Sequence, residues 1–429
     1  MACIYDIHAS WEDNLRRGPS YNGPLPLDRA RPPPDQWFDF LGFKVASRLG
    51  VPAGPLLDSK WTTLAARLGY DIVTYKTVRS SYSPGHAPPN VLYLELPGQL
   101  PAAAAAGAPP LTVRALADAA ASQEPSCCSA MPSTPGAFGH AATTNGRSDR
   151  SNGCTSGGAA AAPSAAAPPP SFASAADIAI TNSFGMPSMG PEYLLSDIPK
   201  AQAALGPGQL LVISVTGSPD RADGVSFADD FVEAAQLAKA AGARVVEANY
   251  SCPNVGRGQG ALYTDPAQVS AITRALVAAL GPEVPLIIKV GAFESPELLA
   301  QVLEAAAGAG ARGVAGINGL SRAIVTRDGA PALGLDRPTS GVCGAPIRAA
   351  ALAFVAAARA AIDAGRLGLA LVGVGGVAAP EHVDAMLAAG ADVVQSATGI
   401  MWHPGLAAEY HEQQQRRAAA RPGRPAGAA

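Results

Sequence analysis

Residues 210–249 contain L-L-V-I-S-V at 210–215, F-V-E-A-A-Q-L-A-K-A-A at 231–241 and R-V-V-E-A-N at 244–249. The first and last runs are short and apolar. The middle run spaces its apolar residues along one face of a helix. Strand, helix and strand in this order predict a parallel sheet buried on both faces. The alternation continues in both directions. Upstream stand V-P-A-G (51–54) and D-I-V-T-Y (71–75). Downstream come L-I-I-K-V (286–290), G-V-A-G-I-N (313–318), L-A-L-V-G-V (369–374) and D-V-V-Q-S (392–396), with P-E-L-L-A-Q-V-L-E-A-A-A (296–307) as a further helix. Eight such strands predict a closed (β/α)8 barrel, a TIM barrel, within the α/β class. An open doubly wound sheet is the alternative, but no G-x-G-x-x-G follows the first strand to support its dinucleotide-binding form.

Composition narrows the function classes. Of 429 residues, 39 are Pro and 46 are Gly, and 31 Lys+Arg against 34 Asp+Glu give a net charge of −3. That balance argues against a nucleic-acid binder, which carries a basic surplus. Hydrophobic residues at 48% are ample for a core. No membrane span is expected outside Ala/Pro-rich runs. The start, M-A-C-I-Y-D-I-H-A-S-W-E-D-N, carries acids and no apolar stretch, so neither a signal nor a transit peptide is expected. Six scattered Cys suggest a reducing compartment rather than a disulfide framework.

Residues 101–174 are nearly all Ala, Pro, Ser, Gly and Thr, and such a stretch cannot bury enough apolar surface to offset its ordering entropy. They are expected to form a disordered insertion. The expected organisation is an N-terminal extension over 1–43, the barrel over 44–411 interrupted by that insertion, and a disordered tail over 412–429.

In such barrels the site lies at the C-terminal ends of the strands. Applied here, the rule gathers Lys76, Asn249, Ser251, Cys252, Asn254, Lys289, Asn318, Gly375, Gly376, Ala397 and Thr398 at one rim, with Asn182 delivered by the run D-I-A-I-T-N-S-F-G-M-P (177–187). Gly375 and Gly376 allow close backbone approach to a phosphate, or mark a tight turn. Lys76 and Lys289 face an anionic or electron-rich ligand, or pair with a carboxylate such as Glu247. The asparagines suit a flat heterocycle, although Asn also favours turns. Cys252 is a nucleophile, a general base or a small buried side chain. His86, His382 and His403 do not stand at strand ends, which favours proton transfer over acyl chemistry. Cys127, Cys128, His140 and Cys154 have poor zinc spacing, and no metal is expected. Cys3 and Cys343 carry no signal alone.

N-Y-S-C-P-N (249–254) resembles the N-x-S-C-P-N signature of class 1 dihydroorotate dehydrogenases, FMN enzymes of pyrimidine synthesis. N-S-F-G-M-P-S-M-G (182–190), Y-K-T (75–77), I-I-K-V (287–290), G-V-G-G-V (373–377) and Q-S-A-T-G (395–399) are similar to further segments of that family, in order. The resemblance implies roles. Lys76 contacts flavin and substrate. Asn182, Asn249, Asn254 and Asn318 hydrogen-bond the pyrimidine, with the backbone of Gly185 and Met186 at its carboxylate. Lys289 stabilises negative charge on the reduced flavin. Ala53, Gly54, Thr77 and Asn249 pack against the ring, and Gly344, Gly375, Gly376, Ala397 and Thr398 hold the phosphate. Cys252 removes the C5 proton while the C6 hydride passes to flavin N5. Cysteine in that place implies class 1, whose members are soluble, so a cytoplasmic homodimer is expected. Two departures from the family are Gly319, where Ser usually follows the asparagine, and Phe184 in place of Met. The rival readings are another FMN-dependent dihydropyrimidine oxidoreductase, a non-redox phosphate-binding barrel, and a flavin-binding protein without turnover. Class 1 members pass electrons to fumarate or, through a partner iron–sulfur subunit, to NAD. No Cys cluster for such a centre stands in this sequence.

Overall fold

Eight parallel strands close into the expected barrel. The computed structural model describes residues 3–26, 29, 31–96, 98–102, 109–113, 174–219, 221, 223–251 and 262–420. In chain order the strands are β1 (Phe38–Phe40), β2 (Phe43–Val45), β3 (Leu49–Val51), β4 (Ile72–Val78), β5 (Val91–Tyr93), β6 (Leu111–Thr112), β7 (Ala179–Asn182), β8 (Leu210–Val215), β9 (Val246–Asn249) and β10 (Leu286–Lys289). They continue with β11 (Gly313–Gly316), β12 (Leu320–Val325), β13 (Thr339–Gly344), β14 (Ala370–Val374) and β15 (Val393–Gln395). The helices are α1 (Trp11–Arg17), α2 (Ser59–Arg67), α3 (Pro191–Ala203), α4 (Phe227–Ala240), α5 (Pro266–Leu280), α6 (Pro296–Gly308), α7 (Arg348–Gly365), α8 (Pro380–Ala388), α9 (Thr398–Trp402) and α10 (Leu406–Ala420). The barrel runs β3-β4-β8-β9-β10-β11-β14-β15 and closes back on β3. All eight strands fall on the apolar runs of the sequence, in sequence order.

Local chemistry fixes where the helices start. Ser226 and Ser295 cap α4 and α6 by accepting from the N–H of Asp229 and Leu298. Asp265 caps α5, with Pro266 at its first position. Each cap is worth ~1 kcal/mol, and proline at the first turn forfeits no hydrogen bond. The barrel interior is filled toward the N-terminal strand ends by Ile72, Leu210, Val245, Ile287 and Val393, with Phe40 and Val45 of the β1–β2 hairpin packed beneath them. That hairpin straddles the boundary expected at 43, so the barrel's base begins before it.

A second sheet, β5-β7-β13-β12-β6, forms from the loops after β4 and β11 together with the chain around β7. Its antiparallel pairing sets Asn182 opposite Gly341 and Ile180 opposite Cys343.

Two expectations need correction. The segment expected to be disordered over 101–174 contributes β6, whose Leu111 and Thr112 pair with Ile324 and Val325; residues 114–173 lie outside the described residues. The tail expected to be loose from 412 is helical to Ala420. There Gln414 and Arg417 both contact the Asp384 carboxylate, which anchors polar turns that have no apolar face. The Ala-rich run at 345–365, of the kind set aside above, forms a helix long and apolar enough to cross a membrane by length and composition. In this fold its apolar side, including Ala351, Phe354, Val355 and Ala358, is buried.

Candidate active site

The C-terminal strand ends converge on one cavity. From β4 come Lys76 and Thr77, from β9 Asn249, from β10 Lys289, and from the loop after β3 Ala53 and Gly54. The parallel register sets Lys289 level with Asn249 on one side and Ala315 on the other. A second wall descends from the upper sheet: Asn182 ends β7, and its Nδ2 donates to Cys343 Sγ at 3.2 Å. The turn through Gly185 and Met186 closes that wall, with Asn249 Nδ2 directed at Met186 Sδ, 3.5 Å away. At the far end lie Gly344, Gly375, Gly376, Ala397 and Thr398. A Cβ at Gly376 would fall 2.9 Å from the Gly344 carbonyl oxygen and 2.7 Å from Arg348 Cβ, so only glycine lets these loops approach. Arg348 braces them, its Nε donating to the Gly376 carbonyl at 2.8 Å.

The electrostatics have one sign. The described lining holds Lys76 and Lys289 and no carboxylate. Both lysines are buried, at 9% and 4% exposure. Two buried ammonium groups opening on one cavity favour an anionic or electron-rich ligand there. The glycine cradle and these two cations together fit a flat, anionic cofactor with a phosphate tail.

Asn318 is engaged within the protein: its Nδ2 donates to the Ser251 carbonyl, and its Oδ1 accepts from the Gly319 N–H at 3.1 Å. It therefore tethers the end of β9 immediately before residue 252. Cys252 and Asn254 lie outside the described residues, as do Cys127, Cys128, His140 and Cys154.

Several lining residues were not anticipated. Cys343 faces the cavity because the upper sheet turns it there, a non-local pairing with no short-range signal. Burial pushes its thiol up to about 11, so it is not a thiolate at neutral pH. Tyr5 and Trp11, from the segment read only as an extension, also line the cavity. The Tyr5 ring packs against Trp61 and Phe184, with centroids 5.7 and 5.8 Å away.

Comparison with known proteins matches this architecture to one family. The dihydroorotate dehydrogenase family model matches residues 134–413. A dihydroorotate dehydrogenase of Dictyostelium discoideum is 41% identical over 412 residues, covering 95% of this chain and 96% of that protein. The chain belongs to the dihydroorotate dehydrogenase family. Members of this family are flavoproteins that oxidise the CH–CH bond of dihydroorotate in pyrimidine biosynthesis. Among the relatives, dihydroorotate dehydrogenase A (fumarate) of Lactiplantibacillus plantarum is 31% identical over 228 residues, 52% of this chain and 68% of that one. The catalytic subunit of dihydroorotate dehydrogenase B (NAD(+)) of Bacillus pumilus is 32% identical over 192 residues, 44% and 58% of the two chains. A crystal structure of DHODH from Eimeria tenella in complex with ferulenol superposes with a TM-score of 0.60 at 15% identity, covering 92% of this chain and 88% of that one, which supports the fold.

Proposed function

We propose that this chain is an FMN-dependent dihydroorotate dehydrogenase in which Cys252 is the base that takes the C5 proton. The observation that carries the reading is one cavity whose lining joins the buried ammonium groups of Lys76 and Lys289 to the glycine cradle of Gly344, Gly375 and Gly376. A mononucleotide flavin matches it: one phosphate for the loops after β14 and β15, and a ring system between them and Lys289. When bound, the flavin supplies the acceptor for the C6 hydride.

The chain's own groups do the rest. Gly344, Gly375, Gly376, Ala397 and Thr398 hold the phosphate with backbone and hydroxyl donors. Ala53, Gly54 and Thr77 form the bed of the ring. Lys289 sets positive charge where negative charge develops, and preorganised charge in a site closed to water is the strongest lever available. Lys76, Asn182, Asn249, Asn254 and the backbone of Gly185 and Met186 orient the pyrimidine and its carboxylate. Asn318 acts in part through its tether to the Ser251 carbonyl. A C5 proton is only weakly acidic, so a positioned base is required. A cytoplasmic homodimer belongs to the same reading, supported by the class 1 resemblance.

The test is a visible absorption spectrum of the purified protein before and after anaerobic addition of dihydroorotate, with dihydrouracil as the second arm. Yellow protein bleached by dihydroorotate is expected. Bleaching by dihydrouracil alone would make the enzyme a different dihydropyrimidine oxidoreductase. Colourless protein that takes up no FMN would remove the redox reading.

A further inference from the structure

Beneath the cavity floor lies a carboxylate to which the reading above gives no task. Glu247 sits on β9 two residues before Asn249, hence on the same inward face one layer lower. It is 1% exposed, and its Oε1 is buried with no hydrogen-bond partner among the described residues. Its parallel neighbours in register are Ser214 on β8 and Ile287 on β10. Burial pushes the pKa of the carboxylate up, and the charge of Lys289, one layer above Ile287, together with the Ser214 hydroxyl level with it, favours the ionised form. Ser214 Oγ also lies 3.0 Å from Thr77 Oγ1, a cavity-lining hydroxyl. The register thus stacks four polar side chains at and below the cavity floor: Thr77 and Ser214 in contact, Glu247 level with Ser214, and Lys289 one layer above it on the next strand.

A buried carboxylate with a bare oxygen is expensive unless a cation compensates it. Burying a lysine in a cavity without acids carries the same cost. Each group lacks what the other supplies, and the register brings them to adjacent layers of one barrel wall.

We propose that Glu247 is the counter-ion of Lys289, a positioning residue that fixes the net charge the barrel presents to the flavin. This rests on the placement of the flavin against Lys289. With Glu247 present, the lysine's field is partly balanced from below. Without it, the full ammonium charge acts on the bound ring and favours its reduced, anionic form.

The midpoint potential of the flavin in the holoenzyme reads this directly, alongside the flavin-to-protein ratio. Glu247→Gln keeps the shape and removes the charge, so the potential is expected to rise above wild type. Lys289→Gln is expected to lower it. In the double variant Glu247→Gln/Lys289→Gln neither charge is left unpaired, and its potential is expected closer to wild type than that of Lys289→Gln alone. The double variant also keeps the test available should the single Glu247→Gln chain fail to fold. An unchanged potential in Glu247→Gln with a shifted one in Lys289→Gln overturns the proposal, as does a double variant identical to Lys289→Gln. No shift in either single variant overturns the placement of the flavin beside Lys289, and the proposal with it.

Discussion

The Nε of Arg79 donates to the carbonyl oxygen of Met186 at 3.0 Å. The same guanidinium donates through Nη1 to the Gly217 carbonyl and the Ser218 hydroxyl, at 3.0 and 2.9 Å. Arg79 is buried behind the turn that presents Gly185 and Met186 to the cavity, and Met186 holds a φ of +51°. A non-glycine residue there costs ~1–2 kcal/mol and persists only where its surroundings fix it. Arg79→Leu would leave two carbonyls without their partner, at ~1–3 kcal/mol each. We expect the KM for dihydroorotate to rise ~10-fold or more with kcat changed less, because ~1.4 kcal/mol of lost binding is already tenfold. Arg79→Lys is expected to rescue little, since one ammonium cannot span three acceptors. Orotate affinity read from the flavin difference spectrum checks this; unchanged affinity in both variants would refute the role.

Trp11 ties the N-terminal segment to the mouth of the site. It is buried, and Gly85 packs so closely on its indole that a Cβ there would lie 2.2 Å from Cδ1. The Ile4 N–H donates to the Met401 carbonyl, and Lys60 Nζ donates to that of Leu15. Trp11→Ala is expected to cost ~3–5 kcal/mol of local packing and to open the cavity wall. The flavin-to-protein ratio after gel filtration should fall, together with Tm. A variant as yellow and as stable as wild type would show the segment to be incidental.

Cys252→Ala should leave the bound flavin intact and slow its reduction by dihydroorotate ~10²–10⁴-fold, the usual loss for a general base. Single-turnover stopped flow checks it, and a wild-type rate would take Cys252 out of the mechanism. Asn318→Ala, which releases the Ser251 carbonyl just ahead of it, is expected to slow the same step less, because the base itself is kept.

How much of this was legible in the sequence follows from burial. Parallel strands covered on both faces must be continuously apolar, so L-I-I-K and A-L-V-G-V announce themselves. The upper sheet does not. β12 alternates buried and exposed residues over L-S-R-A-I-V, and β13 is T-S-G-V-C-G, small residues without a pattern. Two residues, Leu111 and Thr112, suffice for β6 because main-chain hydrogen bonds hold it. Lys76, Asn249 and Lys289 were readable as polar residues closing apolar runs. Cys343, Tyr5 and Trp11 were not, because only tertiary pairing brings them to the cavity.

His411 gives a pH dependence of known sign. Its Nε2 hydrogen-bonds the Gly69 carbonyl at 2.8 Å, and burial, with Arg29 alongside, pushes its pKa down to about 4. Unfolded, the imidazole returns to ~6.5. Between those values the unfolded chain binds more protons, so stability rises with pH there. The contribution is complete above pH ~6.5 and is lost as pH falls toward 4, on the order of 3 kcal/mol in all. Urea midpoints at pH 7.5 and 5.0 for wild type and His411→Gln isolate it, because other groups titrate alike in both. The variant should show the smaller decline; equal declines would refute the assignment.

Gly344 and Gly329 separate steric from conformational cost. Their φ values are nearly equal, +89° and +85°. A Cβ at Gly344 would lie 2.1 Å from the Ile178 carbonyl oxygen, whereas nothing lies within 4 Å of one at Gly329. Alanine at either position suffers a positive-φ backbone penalty of ~1–3 kcal/mol, at 344 toward the upper end because its ψ of −150° lies outside the left-handed α region. Only at 344 must the backbone also move, and there the displaced chain is the cavity wall beside Gly376. Gly329→Ala is therefore expected to lower Tm slightly and keep its flavin. Gly344→Ala should lose ~1–3 kcal/mol more, the range of overpacked sites, and elute with little flavin. Equal losses in the two variants would show that backbone conformation alone, and not the close approach of β7 and β13, requires glycine at 344.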